Sequence, residues 1–116
     1  MVSALIAAGK EVWILLQVPE LDFQPVECVG RPISFEQRPR FPCSVPMTGV
    51  AARQRVYRTI VTDLSRRFPS LHVYDPVPFM CDAGSCQASR GGLLWYADEH
   101  HLSETAALFF AGKFPF

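Results

Sequence analysis

Two hydrophobic periods organise the chain. Residues 11–18, Glu-Val-Trp-Ile-Leu-Leu-Gln-Val, form an almost continuous apolar run with β-branched and aromatic members, closed by Pro19. A run without polar alternation predicts a strand buried on both faces, as in a parallel sheet with helices above and below. Over 48–68 the period lengthens. Val50, Tyr57, Ile60, Val61, Leu64 and Phe68 recur on one helical stripe, while Arg53, Arg55, Arg58, Asp63, Arg66 and Arg67 point largely elsewhere. Thr48 is the expected N-cap, and Pro69 stops the helix. A short run at 71–75, ended by Pro76, predicts a second parallel strand, so the helix becomes the crossover of a βαβ unit.

The remaining segments are read from their punctuation. Residues 2–9 look like the last turns of a helix with Gly9 as its stop. A chain rarely begins at the end of an element, so Met1 is not expected to be the natural start of the fold. Residues 19–46 are Pro-rich and aperiodic, carrying Cys28 and Cys43, and residues 77–92 form a second loop with Cys81 and Cys86. Long loops of this kind tend to be functional or pinned. Residues 93–96 read as a short extended piece. Ser103 then caps a last helix over 103–113, with Leu108 and Phe109 as its apolar contribution. There is no internal repeat.

Composition narrows the class. With 116 residues, 49% of them hydrophobic, there is material for one core and not two, and disorder is excluded. Eleven basic residues balance eleven acidic ones, and no basic block exceeds Arg66-Arg67, which argues against a nucleic-acid partner. The longest uncharged apolar runs are far shorter than the ~20 residues of a membrane span, so no membrane segment is expected in the chain. The N-terminus also lacks the basic region and cleavage pattern of a signal peptide.

The chemistry concentrates in Asp98-Glu99-His100-His101-Leu102-Ser103. An Asp followed three residues later by a His, just before a helix, can form a turn in which the carboxylate accepts the Nδ1 proton of the imidazole. That leaves Nε2 as a general base toward a hydroxyl nucleophile, with the carboxylate stabilising the imidazolium. The competing reading is a surface turn in which Asp98 helps to cap the last helix. His100 lies two positions from Asp98 and is read as a solvent-side or loop-packing residue.

The succession of buried strand, crossover helix, strand, Cys-containing loop, Leu-Trp-Tyr and Asp-x-x-His-Leu-Ser resembles the C-terminal half of the SGNH (GDSL-type) hydrolase family. It is most similar to the SGNH domain fused to bacterial membrane O-acyltransferases of polysaccharide and lipopolysaccharide. The likeness is carried by Ala8-Gly9-Lys10, the strand ending Val18-Pro19-Glu20, the paired cysteines, and Tyr96-Ala97-Asp98 through Leu102-Ser103. It implies a partial three-layer, doubly wound parallel α/β sheet whose N-terminal half is missing. It also implies a Ser-His-Asp mechanism without a cofactor, with Asp98 orienting His101. An O-acylated, chiefly O-acetylated, envelope glycan or an acyl donor would be the partner, and a membrane acyltransferase domain would belong to the full-length protein. The family's Gly-Asp-Ser and Gly-x-Asn-Asp blocks do not occur in the chain, so the nucleophile is expected upstream of Met1. Ser85, in Gly84-Ser85-Cys86, is the nearest imitation and reads as loop. Without nucleophile or oxyanion donors the chain alone is expected to be inactive. A disulfide-stapled, non-catalytic binding domain on the same scaffold is the alternative.

Four cysteines can pair in three ways, and proximity suggests Cys28 with Cys43 and Cys81 with Cys86. Disulfides imply an oxidising compartment, and the resemblance points likewise to the periplasm. Free thiols, or zinc with His72, His100 or His101, are the alternatives, but no Cys-x-x-Cys occurs, and no metal is expected. Trp13 reads as core. Trp95 and Tyr96 read as packing under the last helix, with a sugar platform as the alternative. Glu20 and Asp22 stand where open α/β sheets place ligands, yet a solvated loop is the preferred reading. His72 has no evident partner.

Overall fold

A computed structural model of the chain describes residues 1–29 and 38–115; residues 30–37 of the Pro-rich loop, Pro32 included, lie outside the described residues. Helix α1 (Val2–Ala7) ends in a closed C-terminal motif. Gly9 adopts φ 73°, a left-handed conformation open to glycine, and this lets the Gly9 and Lys10 amides reach the carbonyls of Ile6 and Leu5. Strand β1 (Trp13–Leu15) follows, then a 3₁₀ turn at Pro25–Cys28 and strand β2 (Ser44–Pro46). Helix α2 (Met47–Arg67) leads into β3 (His72–Tyr74). The C-terminal part holds α3 (Val77–Met80), β4 (Ser85–Gln87), β5 (Ser89–Arg90), β6 (Leu93–Leu94) and α4 (Glu104–Ala111).

The fold is mixed α/β. Strands β1 and β3 pair in parallel, with Trp13, Ile14 and Leu15 opposite His72, Val73 and Tyr74, and α2 links them. The sequence leads one to expect a doubly wound parallel sheet; among the described residues the parallel sheet has two strands, and the β2–β4 and β5–β6 pairs are antiparallel. Both long loops of the sequence reading therefore hold regular structure. The expected loop at 77–92 contains a helix and two strands, and the 19–46 segment contains a 3₁₀ turn and a strand. Strands of two or three residues are too short to leave a period in the sequence.

The core lies away from the parallel pair. Leu21, Phe23, Val45, Val50, Met80, Cys86, Ala88, Trp95, Tyr96, Ala106 and Phe110 form one buried cluster. Disulfides Cys28–Cys43 and Cys81–Cys86 border it, with Cα–Cα separations of 5.6 and 3.9 Å. All four cysteines are thereby oxidised, which removes the free-thiol and zinc-ligand readings. The 11–18 strand is not buried on both faces: Leu15 is 56% exposed. Trp13 is not core either, since its ring stacks on His72 at 4.5 Å and its indole N–H donates to Glu11. His72 thus has partners after all, Trp13 and, at 3.7 Å, the Glu11 carboxylate.

Helix α2 departs from its expected stripe in two places. Ile60 lies outside, 55% exposed, while Gln54, one turn after the buried Val50, is inside. Burying an amide requires partners. Gln54 donates to the Val18 carbonyl at 3.1 Å and accepts from Arg58 Nε at 2.8 Å. Arg58 in turn forms a two-point bridge to Asp75 at 2.7 and 2.9 Å. Asp75 also accepts the Val77 amide. Burial pushes the Asp75 carboxyl up, but Arg58 and the Val77 amide outweigh it and hold the group below its ordinary value. This network fastens α2 to the C-terminal ends of both parallel strands. The helix begins at Met47 after Pro46, so Thr48 is inside the first turn and not its cap.

Candidate active site

The Asp98 turn is built by backbone closure on both sides. The Ala97 amide donates to the His101 carbonyl at 2.8 Å, and Tyr96 and Leu102 form an isolated antiparallel bridge. Ser103 then starts α4: its hydroxyl accepts the Ala106 amide and donates to the Leu94 carbonyl. Ser103, and not Asp98, caps this helix. Leu102 packs against the core and Tyr96 is buried in it. Residues on either side of the turn are thus anchored, while the turn projects outward.

Asp98 organises the turn from within. Its Oδ1 accepts the amides of His100 and His101, each at 2.8 Å. Nδ1 of His101 lies 3.0 and 2.9 Å from the two carboxylate oxygens. The His100 amide first, with the His101 ring and amide, holds the Asp98 carboxyl below the ordinary carboxylate range. An ionised carboxylate can only accept, so Nδ1 carries the proton. Nε2 then presents its lone pair outward, on a ring that is 77% exposed. Chemically, this is an imidazole with a fixed tautomer and a carboxylate positioned to stabilise its protonated form.

A family model described as "SGNH domain (fused to AT3 domains)" matches residues 1–115. The chain belongs to the SGNH family. This agrees with the resemblance carried by Tyr96-Ala97-Asp98 through Leu102-Ser103, and it makes an AT3 acyltransferase domain the family's fusion partner. No curated protein and no solved structure matches the chain.

Around the pair, this SGNH chain places the other residues of interest as follows. His100 is exposed and does not contact Asp98 through its ring; it lines an open cleft of about 710 Å³ with Glu20, Asp22, Gln24, Arg53 and Glu99. Glu20 and Asp22 lie in the expected irregular, solvated loop, on the wall of this open cleft. Trp95 is buried against Phe109 and Phe110, with Arg90 over its ring at 5.8 Å, so no open face remains for a sugar. Ser85 belongs to β4 and not to a loop; its hydroxyl takes the Gln87 amide. Among the described residues no group of histidines, cysteines and carboxylates could hold a metal, and no helix is long and apolar enough to cross a membrane.

Sequence reading missed the residues that join the turn to the rest of the fold. The Tyr96 hydroxyl donates to the Pro19 carbonyl at 2.7 Å, the Leu21 amide donates to the Glu99 carbonyl at 2.9 Å, and the Gln24 amide bonds the Glu99 carboxylate. One signal was present: a Tyr beside a core tryptophan needs a partner for its hydroxyl when buried.

Proposed function

We propose that Asp98 and His101 are the orienting carboxylate and the general base of an SGNH-type acyltransferase or esterase. Its substrates are O-acyl, chiefly O-acetyl, groups of cell-envelope polysaccharide or lipopolysaccharide. The observation that carries the reading is the contact of His101 Nδ1 with both Asp98 oxygens, which leaves Nε2 open. In this reading Nε2 takes the proton of a serine hydroxyl as the serine oxygen attacks the acyl carbonyl. Collapse of the tetrahedral intermediate breaks the ester bond, and His101 returns the proton to the departing alkoxide. A water or glycan hydroxyl then repeats the sequence on the acyl-serine. Because Gly-Asp-Ser and Gly-x-Asn-Asp are absent from these residues, the serine and the oxyanion donors come from a segment outside them. That segment would also complete a doubly wound sheet beside β1.

The family's fusion to AT3 domains supports a membrane-tethered enzyme, and the two disulfides support an oxidising, periplasmic setting. The absence of a nucleophile also supports a second reading, a disulfide-stapled binding domain without catalysis. Co-expression with an SGNH segment bearing Gly-Asp-Ser separates the two. The catalytic reading expects turnover of an activated acetyl ester that falls about 10³- to 10⁴-fold in His101→Gln and in Asp98→Asn. Turnover that survives His101→Gln overturns it.

A further inference from the structure

Asp98 and His101 fix each other's geometry, but nothing within the turn fixes where the pair sits relative to the sheet. The turn carries no regular secondary structure, the His101 ring is largely open to water, and the Asp98 carboxylate is about half exposed. A working base must nevertheless be held within about half an ångström of its productive position. We infer that Tyr96 is the positioning residue that supplies this placement, an inference that rests on the catalytic reading of Asp98 and His101.

Three contacts cross from the exit of β1 to the turn. The Tyr96 hydroxyl donates to the Pro19 carbonyl at 2.7 Å across 77 positions of sequence, and both residues are buried. The Leu21 amide reaches the Glu99 carbonyl at 2.9 Å, and the Gln24 amide grips the Glu99 carboxylate. Tyr96 differs from the other two links in its surroundings. Its ring is 3% exposed within the core cluster, so the hydroxyl is aimed by packing and not by its own flexibility. Burial also pushes its phenol upward, which keeps it a neutral donor. Pro19 lies in the segment that leaves β1 after Leu15, so the bond sets the turn beside the C-terminal end of that strand, where open α/β sheets bind ligands. Glu99 and Gln24 then brace the far side of the same turn, next to His100 and the cleft. Tyr96 does not touch reacting atoms in this account; it acts through His101.

Nitrogen-15 NMR of the His101 ring in the 116-residue chain tests the inference. The wild-type ring is expected in the Nδ1–H tautomer with a single sharp environment. Tyr96→Phe keeps the ring in the core but removes the donor. The expected result is about a fivefold rise in a second, displaced population of the turn, the factor corresponding to one net hydrogen bond. It appears as exchange broadening at His101 and Glu99, with His72 unchanged. Gln24→Ala, at an exposed side chain, moves the same signals in the same direction by less, and it carries the test if Tyr96→Phe does not fold. His101 signals indistinguishable from wild type in the folded variants overturn the positioning role. A wild-type ring lacking the Nδ1–H tautomer sinks the catalytic reading instead, and amide exchange at Glu99 still reports separately whether Tyr96 holds the turn.

Discussion

The two ends of this molecule are built to different standards. Around Leu21, Met80, Trp95 and Phe110 the chain is tightly folded over a buried cluster, bordered by two disulfides and rich in crossed backbone contacts. Around β1 and β3 it is not. Leu5, Leu15, Val56 and Ile60 are exposed, as Leu93 and Leu108 are at the other end, but here α1 buries no residue and, among the described residues, the parallel sheet has two strands. Parallel sheets occur almost only with both faces covered, so this end is an apolar surface suited to further cover. The chain has an accessible surface of 8013 Å², against roughly 6,300 Å² expected for a compact domain of this mass. Its radius of gyration is 17.1 Å, where about 13 Å would be compact. The Asp98 turn grows from the well-packed end. The proposed acid-base pair of Asp98 and His101 is therefore carried by the part of the chain that holds its own shape.

The largest effect should come from hollowing the packed end. Phe110→Ala, which removes a ring packed against Trp95 and Phe79, should cost about 3–5 kcal/mol in denaturant unfolding, whereas Leu15→Ala in the open end should stay within about 0.5 kcal/mol. Equal losses at the two sites would erase the distinction. Next is the staple: replacing Cys28 and Cys43 together by serine opens a loop with a sequence separation of 15 and should cost about 3 kcal/mol. Hydrogen exchange should then rise around Leu21 and Val45 while β1 and β3 change little.

Smaller effects probe the joint between the ends. Asp75→Asn breaks the Arg58 bridge and should cost about 2 kcal/mol by urea titration. Asp75 and Asp98 both have carboxyls held below their ordinary value. A carboxyl lowered in the folded state contributes stability above the unfolded value of about 3.9 and loses it as pH falls through the lower folded value. Acid unfolding should therefore begin below about pH 4, and Asp75→Asn should flatten it; an unchanged acid limb would count against the Arg58–Asp75 joint. The least disruptive change is Leu15→Lys. It should leave the unfolding midpoint within error yet reduce self-association in light scattering at high concentration, because a charge on an exposed strand discourages edge pairing. Wild type that stays monomeric at high concentration would deny that the open end is adhesive.

What the sequence disclosed follows the reach of each interaction. The crossover helix was legible because its inward positions repeat every turn, and the Asp98–His101 contact was legible because it spans three residues. The SGNH likeness was legible for the same local reason, in the run from Tyr96 to Ser103. Ile60 was expected inside and lies outside, and Gln54, which the stripe did not include, is buried because its partners are Val18 and Arg58, which no period encodes. Trp13 looked like core and instead stacks on His72 across the β1–β3 register. The extended piece read at 93–96 holds the strand at 93–94, whereas the strands at 85–87 and 89–90 were too short to register, and the bond from Tyr96 to Pro19 joins residues far apart in the chain.

Labelling with a fluorophosphonate probe, which reports a base-activated serine, tests most directly whether this chain supplies the acid-base half of an SGNH site. The 116-residue chain by itself should remain unlabelled, and a co-expressed Gly-Asp-Ser segment should become labelled only when His101 is intact. Labelling of the chain itself in a His101-dependent manner, at Ser85 or any other serine, would contradict the account.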